Sequence, residues 1–190
     1  KKNKIWIASS THKGEEIFCV KAHLELKKKF KNLITIIIPR HVHRTQDIIN
    51  DIQKLNLKVV LHSNKIKTLQ NVDIYLVDTF GETKKFHNLG SSVFLGGSMI
   101  NRGGQNPLEA ARTGSRILHG PYTGNFKDIY NLLKKFKTSK KINSHSELAS
   151  SIIFKKNKDI GFKIKKMGEK ILKETIKELD FLIKNEIKKT

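Results

Sequence analysis

Cysteine is nearly missing: Cys19 stands alone among 190 residues, which excludes an intrachain disulfide and any cysteine-rich metal centre. It lies in an apolar helical pattern and reads as a core residue in a reducing compartment. Long hydrophobic runs are missing too. Stretches such as Ile36-Ile37-Ile38 fall far short of the roughly 20 apolar residues a bilayer-crossing helix needs. The opening Lys1-Lys2-Asn3-Lys4-Ile5-Trp6-Ile7 turns from basic to apolar too briefly for a secretory leader. It reads as a first strand, so the chain starts abruptly on a structural element. There is no repeat of solenoid length and no low-complexity linker. No two histidines take metal-ligand spacing on a helix with a third ligand nearby, so no metal is expected. Thr11, Ser98 and the histidines form no Ser-His-Asp set. Acidic residues are scarce, 17 against 38 Lys and Arg, for a net charge of +21. Such an excess attracts phosphates, anionic lipid surfaces or nucleic acid. A genome whose base composition favours Lys, Ile and Asn codons produces the same excess, and these lysines are spread along helices rather than gathered in one run. No aromatic-basic interleaving marks a nucleic-acid surface.

What is present is a core-forming pattern, 37% hydrophobic, enough for one α/β domain or two small ones. Short apolar runs at 5–8, 33–38, 59–61, 72–77, 92–95 and 116–119 read as strands. Between them lie helical patterns at 15–30, 43–55, 82–89, from 107, and 125–136. A further helix through Ile153 is capped by Ser144 or Ser146, and a long amphipathic helix runs from about Asp159 to Ile187. Strands alternating with helices predict a doubly wound parallel sheet, Rossmann-like in class.

The polar clusters 9–14, 39–44, 78–82, 96–106 and 119–126 all follow predicted strands. They therefore collect at the carboxyl edge of the sheet, where open α/β folds bind ligands. Gly96-Gly97-Ser98 and Gly103-Gly104 feed a helix that Asn106 can cap, with Pro107 at its first position and Glu109 placed to close a capping box. Such a turn presents N–H groups to a phosphate; a well-capped helix after a flexible loop reads the same. Arg40 at the end of a buried strand suits a phosphate, or an internal ion pair. Phe80 is placed to stack on a base or to fill core. Gly81 and Glu82 open a helix whose N–H groups can read a base edge, with Glu82 alternatively a first-turn acid. His12 and His41 can contact an anion or simply bond to backbone.

Several of these segments coincide with one family. Ser10-Thr11-His12-Lys13-Gly14-Glu15-Glu16, Ile38-Pro39-Arg40-His41, Val77-Asp78-Thr79-Phe80-Gly81-Glu82, the run from Gly96 to Ala111, and Gly120-Pro121-Tyr122-Thr123-Gly124-Asn125-Phe126 follow in family order. The chain resembles the C-terminal half of 3-deoxy-D-manno-octulosonic acid (Kdo) transferases over about residues 4–136. The resemblance implies the C-terminal domain of a GT-B glycosyltransferase, residues 1–155, followed by a C-terminal helix, 156–190, that packs on this domain or on the N-terminal one. It implies a CMP site lined by Pro39, Arg40, Phe80, Gly81, Glu82, Asn106, Pro107, Leu108 and Glu109, and transfer of Kdo from CMP-Kdo to a lipid A precursor with inversion. The catalytic base would lie in an N-terminal acceptor-binding half that this chain lacks. The family also implies no cofactor or metal, a place on the cytoplasmic face of the inner membrane, and no nucleic acid as partner. Gln105 stands where the family usually has histidine, and Val42 where it has proline. Rival readings are a split remnant that binds nucleotide without transfer, and a GT-B enzyme with a uridine nucleotide donor.

Overall fold

A computed structural model describes residues 3–66 and 68–187. The basic lead Lys1-Lys2, the surroundings of Ile187 and the last three residues of the predicted tail lie outside the described residues. Seven parallel strands form one sheet: β1 (Lys4–Thr11), β2 (Leu33–Pro39), β3 (Val59–Leu61), β4 (Ile74–Leu76), β5 (Ser92–Leu95), β6 (Arg116–His119) and β7 (Ser139–Lys141). Their spatial order is β3-β4-β2-β1-β5-β6-β7. The chain winds from β1 toward β2 and β3, and later lays β5 on the other side of β1. The winding direction therefore reverses between β1 and β5.

Both faces of a parallel sheet must be covered, so its strands read as continuous apolar runs. Trp6, Ile37, Phe94 and Leu118 point to one layer, made by α1 (Glu15–Lys27), α2 (Thr45–Gln53) and α6 (His145–Ser151). Ile7, Ile36, Val93 and Ile117 point to the other, covered by α3 (Thr83–His87), α4 (Leu108–Arg112), α5 (Lys127–Lys135) and the start of α7 (Lys158–Ile187). Cys19 is fully buried in the first layer, as its apolar setting predicts.

Several expectations are corrected. Strand β7 falls in what reads as a lysine-rich link. An edge strand of Ser139-Lys140-Lys141 has no apolar alternation to betray it, and lysines there discourage pairing with another sheet. The helix expected from 107 onward lasts only five residues, Leu108–Arg112, and is followed by Gly114 at φ +79°, the left-handed turn that commonly closes helices. Helix α2 is preceded by a tight turn at Val42–Arg44, so the helical pattern seen from His43 is split in two. The pattern at 125–136 is likewise split, a tight turn at Gly124–Phe126 preceding α5, which no side chain caps. Ser144 does cap α6, accepting from the Glu147 N–H, whereas Ser146 donates to Glu25.

Among the described residues, only the first turns of α7 are seated. Ile164 is buried, and Gly161 lies so close to Gly114 that a Cβ would sit 2.6 Å from its nitrogen. Beyond Gly168 the helix carries Ile171, Leu172, Ile176 and Leu179 exposed.

Candidate functional site

The loops after β1 and β5 meet at the reversal point, and one carboxylate joins them. Glu15, at the first position of α1 and 1% exposed, accepts from four backbone N–H groups. Its Oε2 takes those of Gly97 (2.7 Å) and His12 (2.9 Å), and its Oε1 those of Met99 (3.0 Å) and Ser98 (3.2 Å). The N–H groups that the glycine pattern offers to a phosphate are thus already satisfied from inside the chain. Gly96 is glycine because β1 passes against it, where a Cβ would stand 2.2 Å from the Ser10 carbonyl oxygen.

Ser98 then fastens the loop after β5 to the loop after β6. Its hydroxyl donates to the Leu95 carbonyl and accepts from the Gly120 N–H, while its own carbonyl accepts from the Tyr122 N–H. Farther along, the Asn125 N–H donates to the Gly103 carbonyl, the Gly104 N–H to that of Gly97, and the buried Tyr130 hydroxyl to that of Gln105. The glycine-rich segment is therefore folded back on itself and held, and the segment from Gly120 to Phe126 serves as its scaffold.

Each residue expected at the site except Pro39 lies beyond a strand end. Pro39 is buried as the last residue of β2, pairing with Thr11. Arg40 is exposed, without an ion pair among the described residues, and its N–H donates to the Thr11 carbonyl. Phe80 follows β4 and is 77% exposed, so it fills no core. Gly81 has φ +81° with nothing within 4 Å of an added Cβ. Glu82 precedes α3, and its carboxylate is engaged by the Thr79 hydroxyl (2.5 Å), Lys85 (3.1 Å) and His62 (2.8 Å). The Thr79 and Lys85 hydrogen bonds hold that carboxyl below the usual range. Asn106 is exposed; its side chain accepts from the Leu108 N–H at 3.0 Å, so it caps α4 from one position earlier than expected. Pro107, which is buried, takes the cap position itself. Leu108 is half-buried against the second layer. Glu109 forms no capping box; it is exposed and borders a groove of about 470 Å³ with Lys84 and Asn88 near α3 and Lys165 of α7. That groove includes neither Arg40 nor Phe80.

Sequence reasoning did not foresee the residues that hold these loops. Asp78 accepts from both the N–H (2.9 Å) and the hydroxyl of Ser63. Burial works against ionisation there, but the Ser63 hydrogen bonds prevail and keep the Asp78 carboxyl low. His62 touches the Tyr75 hydroxyl at 2.7 Å as well as Glu82. The turn after β3 thereby braces the Phe80 loop. Glu16, 2% exposed, is clamped by Arg44 at 2.9 and 3.3 Å, tying α1 to the loop after β2. A pair of adjacent acids followed by an apolar helix was the one signal of this: first-turn acids read as dipole partners, whereas both are buried here.

A reversal between β1 and β5, with every chemistry-bearing loop on the carboxyl edge, defines a Rossmann-like α/β domain with its loops at a topological switch point. The fold matches the crystal structure of the C-terminal CMP-Kdo binding domain of WaaA from Acinetobacter baumannii, with a TM-score of 0.74 at 24% identity over 79% of this chain and 78% of that one. The chain belongs to the 3-deoxy-D-manno-octulosonic acid transferase family. It is 31% identical to the Haemophilus influenzae 3-deoxy-D-manno-octulosonic acid transferase over 143 residues, 75% of this chain and 34% of that protein. It is 34% identical to the probable mitochondrial 3-deoxy-D-manno-octulosonic acid transferase of Arabidopsis thaliana over 134 residues, 70% of this chain and 30% of that protein. The chain thus spans about a third of the length of these relatives. No protein-family model matches it. Among the described residues no helix is long and apolar enough to cross a membrane.

Proposed function

We propose that this chain is the donor-binding half of a Kdo transferase. CMP-Kdo is held along the carboxyl edge by the loops after β2, β4 and β5, through Pro39, Arg40, Phe80 to Glu82, and Asn106 to Glu109. An acceptor-binding N-terminal half supplies the base and the lipid A precursor. The base takes the proton of the acceptor hydroxyl, whose oxygen forms the new bond to the sugar. The bond from the sugar to the phosphate oxygen breaks on the opposite face, inverting the carbon, and CMP leaves with the electron pair. Helix α4 has too few turns to build a full dipole. Charge on the departing phosphate therefore falls to basic side chains of the rim, Arg40 first, acting as fixed stabilisers. Transfer at the cytoplasmic face of the inner membrane, without cofactor or metal, completes the reading.

The observation that carries this reading is Phe80. A large aromatic, 77% exposed in the loop after β4 and held by the braced Asp78 and Glu82 on either side, is a platform for a base rather than a packing residue. Titration calorimetry with CMP tests it. Phe80→Ala should weaken CMP binding by about 1–3 kcal/mol, the scale of a lost stacking partner, and leave the unfolding midpoint unchanged. Arg40→Ala should cost about the same through a lost charged hydrogen bond. CMP affinity unchanged from the parent in both variants, or UDP displacing CMP with equal ease, would overturn the assignment.

A further inference from the structure

At the reversal point one histidine carries a buried polar atom that the chain leaves unpaired. The Nε2 of His12 is buried and has no hydrogen-bond partner. A buried polar atom without a partner is costly, so each such atom calls for an explanation. It faces the bare Cα of Gly97: a Cβ built there would lie 3.4 Å from His12 Nε2, 3.5 Å from the Gln105 side-chain nitrogen and 3.5 Å from Cβ of Arg102. Two side-chain nitrogens and the Cβ of Arg102, from two loops, thus face the bare Cα of Gly97, which has φ +67°.

The charge around this point is one-sided. The two nearby acids are already committed, Glu15 to four backbone N–H groups and Glu16 to Arg44. Facing His12 from the other elements are His41 of the loop after β2, edge-on at 5.7 Å between ring centres, and Arg102 of the loop after β5. Burial, with His41 and Arg102 adding to it against the pull of Glu15 and Glu16, lowers the His12 pKa below its ordinary value. The ring is therefore neutral in the free protein and ready to gain a proton beside a negative partner.

We propose that the niche over Gly97, formed by His12, Gln105 and Arg102, receives an anionic oxygen of the donor, from its phosphate or from its sugar carboxylate. The inference rests on the donor-binding reading and deepens it by placing the donor's second charged group. His12 Nε2 donates to the oxygen, the Gln105 amide supplies a second donor, and Arg102 contributes charge from the rim. Glu15 makes this possible by quenching the backbone N–H groups beneath, so that side chains rather than the loop backbone do the recognition.

Imidazole nitrogen NMR on the ¹⁵N-labelled chain tests this directly, with three separate probes: CMP, inorganic phosphate and free Kdo. An occupied niche should raise the apparent His12 pKa by roughly one pH unit, as an adjacent opposite charge does. Movement with phosphate and CMP identifies the phosphate as the source, and movement with Kdo alone identifies the carboxylate. Arg102→Gln, at an exposed position, should raise the apparent dissociation constant of the effective probe by about tenfold, one lost charged contact. Gly97→Ala should abolish the response by filling the niche. If His12 stays unmoved by all three probes while CMP shifts the amides of Gly81 and Leu108, the niche is refuted and the nucleotide site stands. If phosphate or Kdo moves His12 while CMP leaves those amides untouched, the niche stands and the nucleotide site is refuted. Silence everywhere overturns both.

Discussion

Replacing Glu15 by alanine removes a buried carboxylate from four donors at once. Each hydrogen bond to a charged group contributes about 1.5–3 kcal/mol, but the four are not independent. The Gly97 and Ser98 N–H groups lie in fully covered backbone, and water cannot replace the lost acceptor there without opening the loop. The His12 and Met99 groups lie on half-buried residues and can be rehydrated in part. Taken at the low end because the four share one carboxylate, two donors in full and two at about half give a loss of about 4–5 kcal/mol, within the range for breaking a buried charged network. That is a large fraction of the roughly 5–15 kcal/mol that holds a domain folded. Urea unfolding followed by tryptophan fluorescence is a suitable assay, because Trp6 is the sole tryptophan and fully buried. Glu15→Gln should lose about half as much, since one side-chain oxygen still accepts while its amide nitrogen confronts N–H groups. Glu16→Ala, the neighbouring buried acid, should cost only about 1–2 kcal/mol, because the released Arg44 can turn into solvent. A Glu15→Ala midpoint within about 0.5 kcal/mol of the parent, with unchanged slope, would refute the claim that this carboxylate organises the loops.

Acid should destabilise the fold well before carboxylates protonate. His23 and His87, both driven down to about 4 chiefly by burial, remain neutral in the folded state, whereas the unfolded chain protonates them near 6.5. Between those values the unfolded state binds more protons, so stability falls as pH drops from about 6.5 toward 4, by about 2–3 kcal/mol per histidine. A urea midpoint flat over that window would contradict this. Gly96→Ala should cost about 2–4 kcal/mol, because its Cβ meets the Ser10 backbone rather than a side chain that can yield. Gly124→Ala, with nothing within 4 Å and no positive φ, should be nearly silent in the same denaturation experiment and serves as its control.

Much of the fold is legible in the sequence because parallel strands covered on both faces announce themselves as apolar runs. Six of the seven strands are marked in this way, and β7 is missed because Ser139-Lys140-Lys141 is held by neighbours rather than by its own hydrophobicity. The clustering of polar loops on one edge is legible for the same reason: it follows from strand direction alone. What the sequence hides is how each polar group is spent. Gly96-Gly97-Ser98 looks like an open anion cradle until Glu15, 82 residues upstream of Gly97, is seen to fill it. Arg40 looks like a buried cation until β2 is seen to end one residue before it. Asn106 looks like a conventional cap, but the cap is displaced by one position and the helix beyond is too short to carry much dipole. Long-range pairings of this kind leave no local periodicity to read.

The fastening at Ser98 has a consequence for how this protein can vary. Its hydroxyl and carbonyl serve Gly120 and Tyr122, and a Cβ on Gly120 would stand 2.2 Å from the Ser98 carbonyl oxygen. Neither position can drift without the other paying heed, although 22 residues separate Ser98 from Gly120. Single changes at the two sites should therefore be non-additive when combined. The two stretches form one mechanical unit, and tolerated substitutions in one should arrive with matching changes in the other.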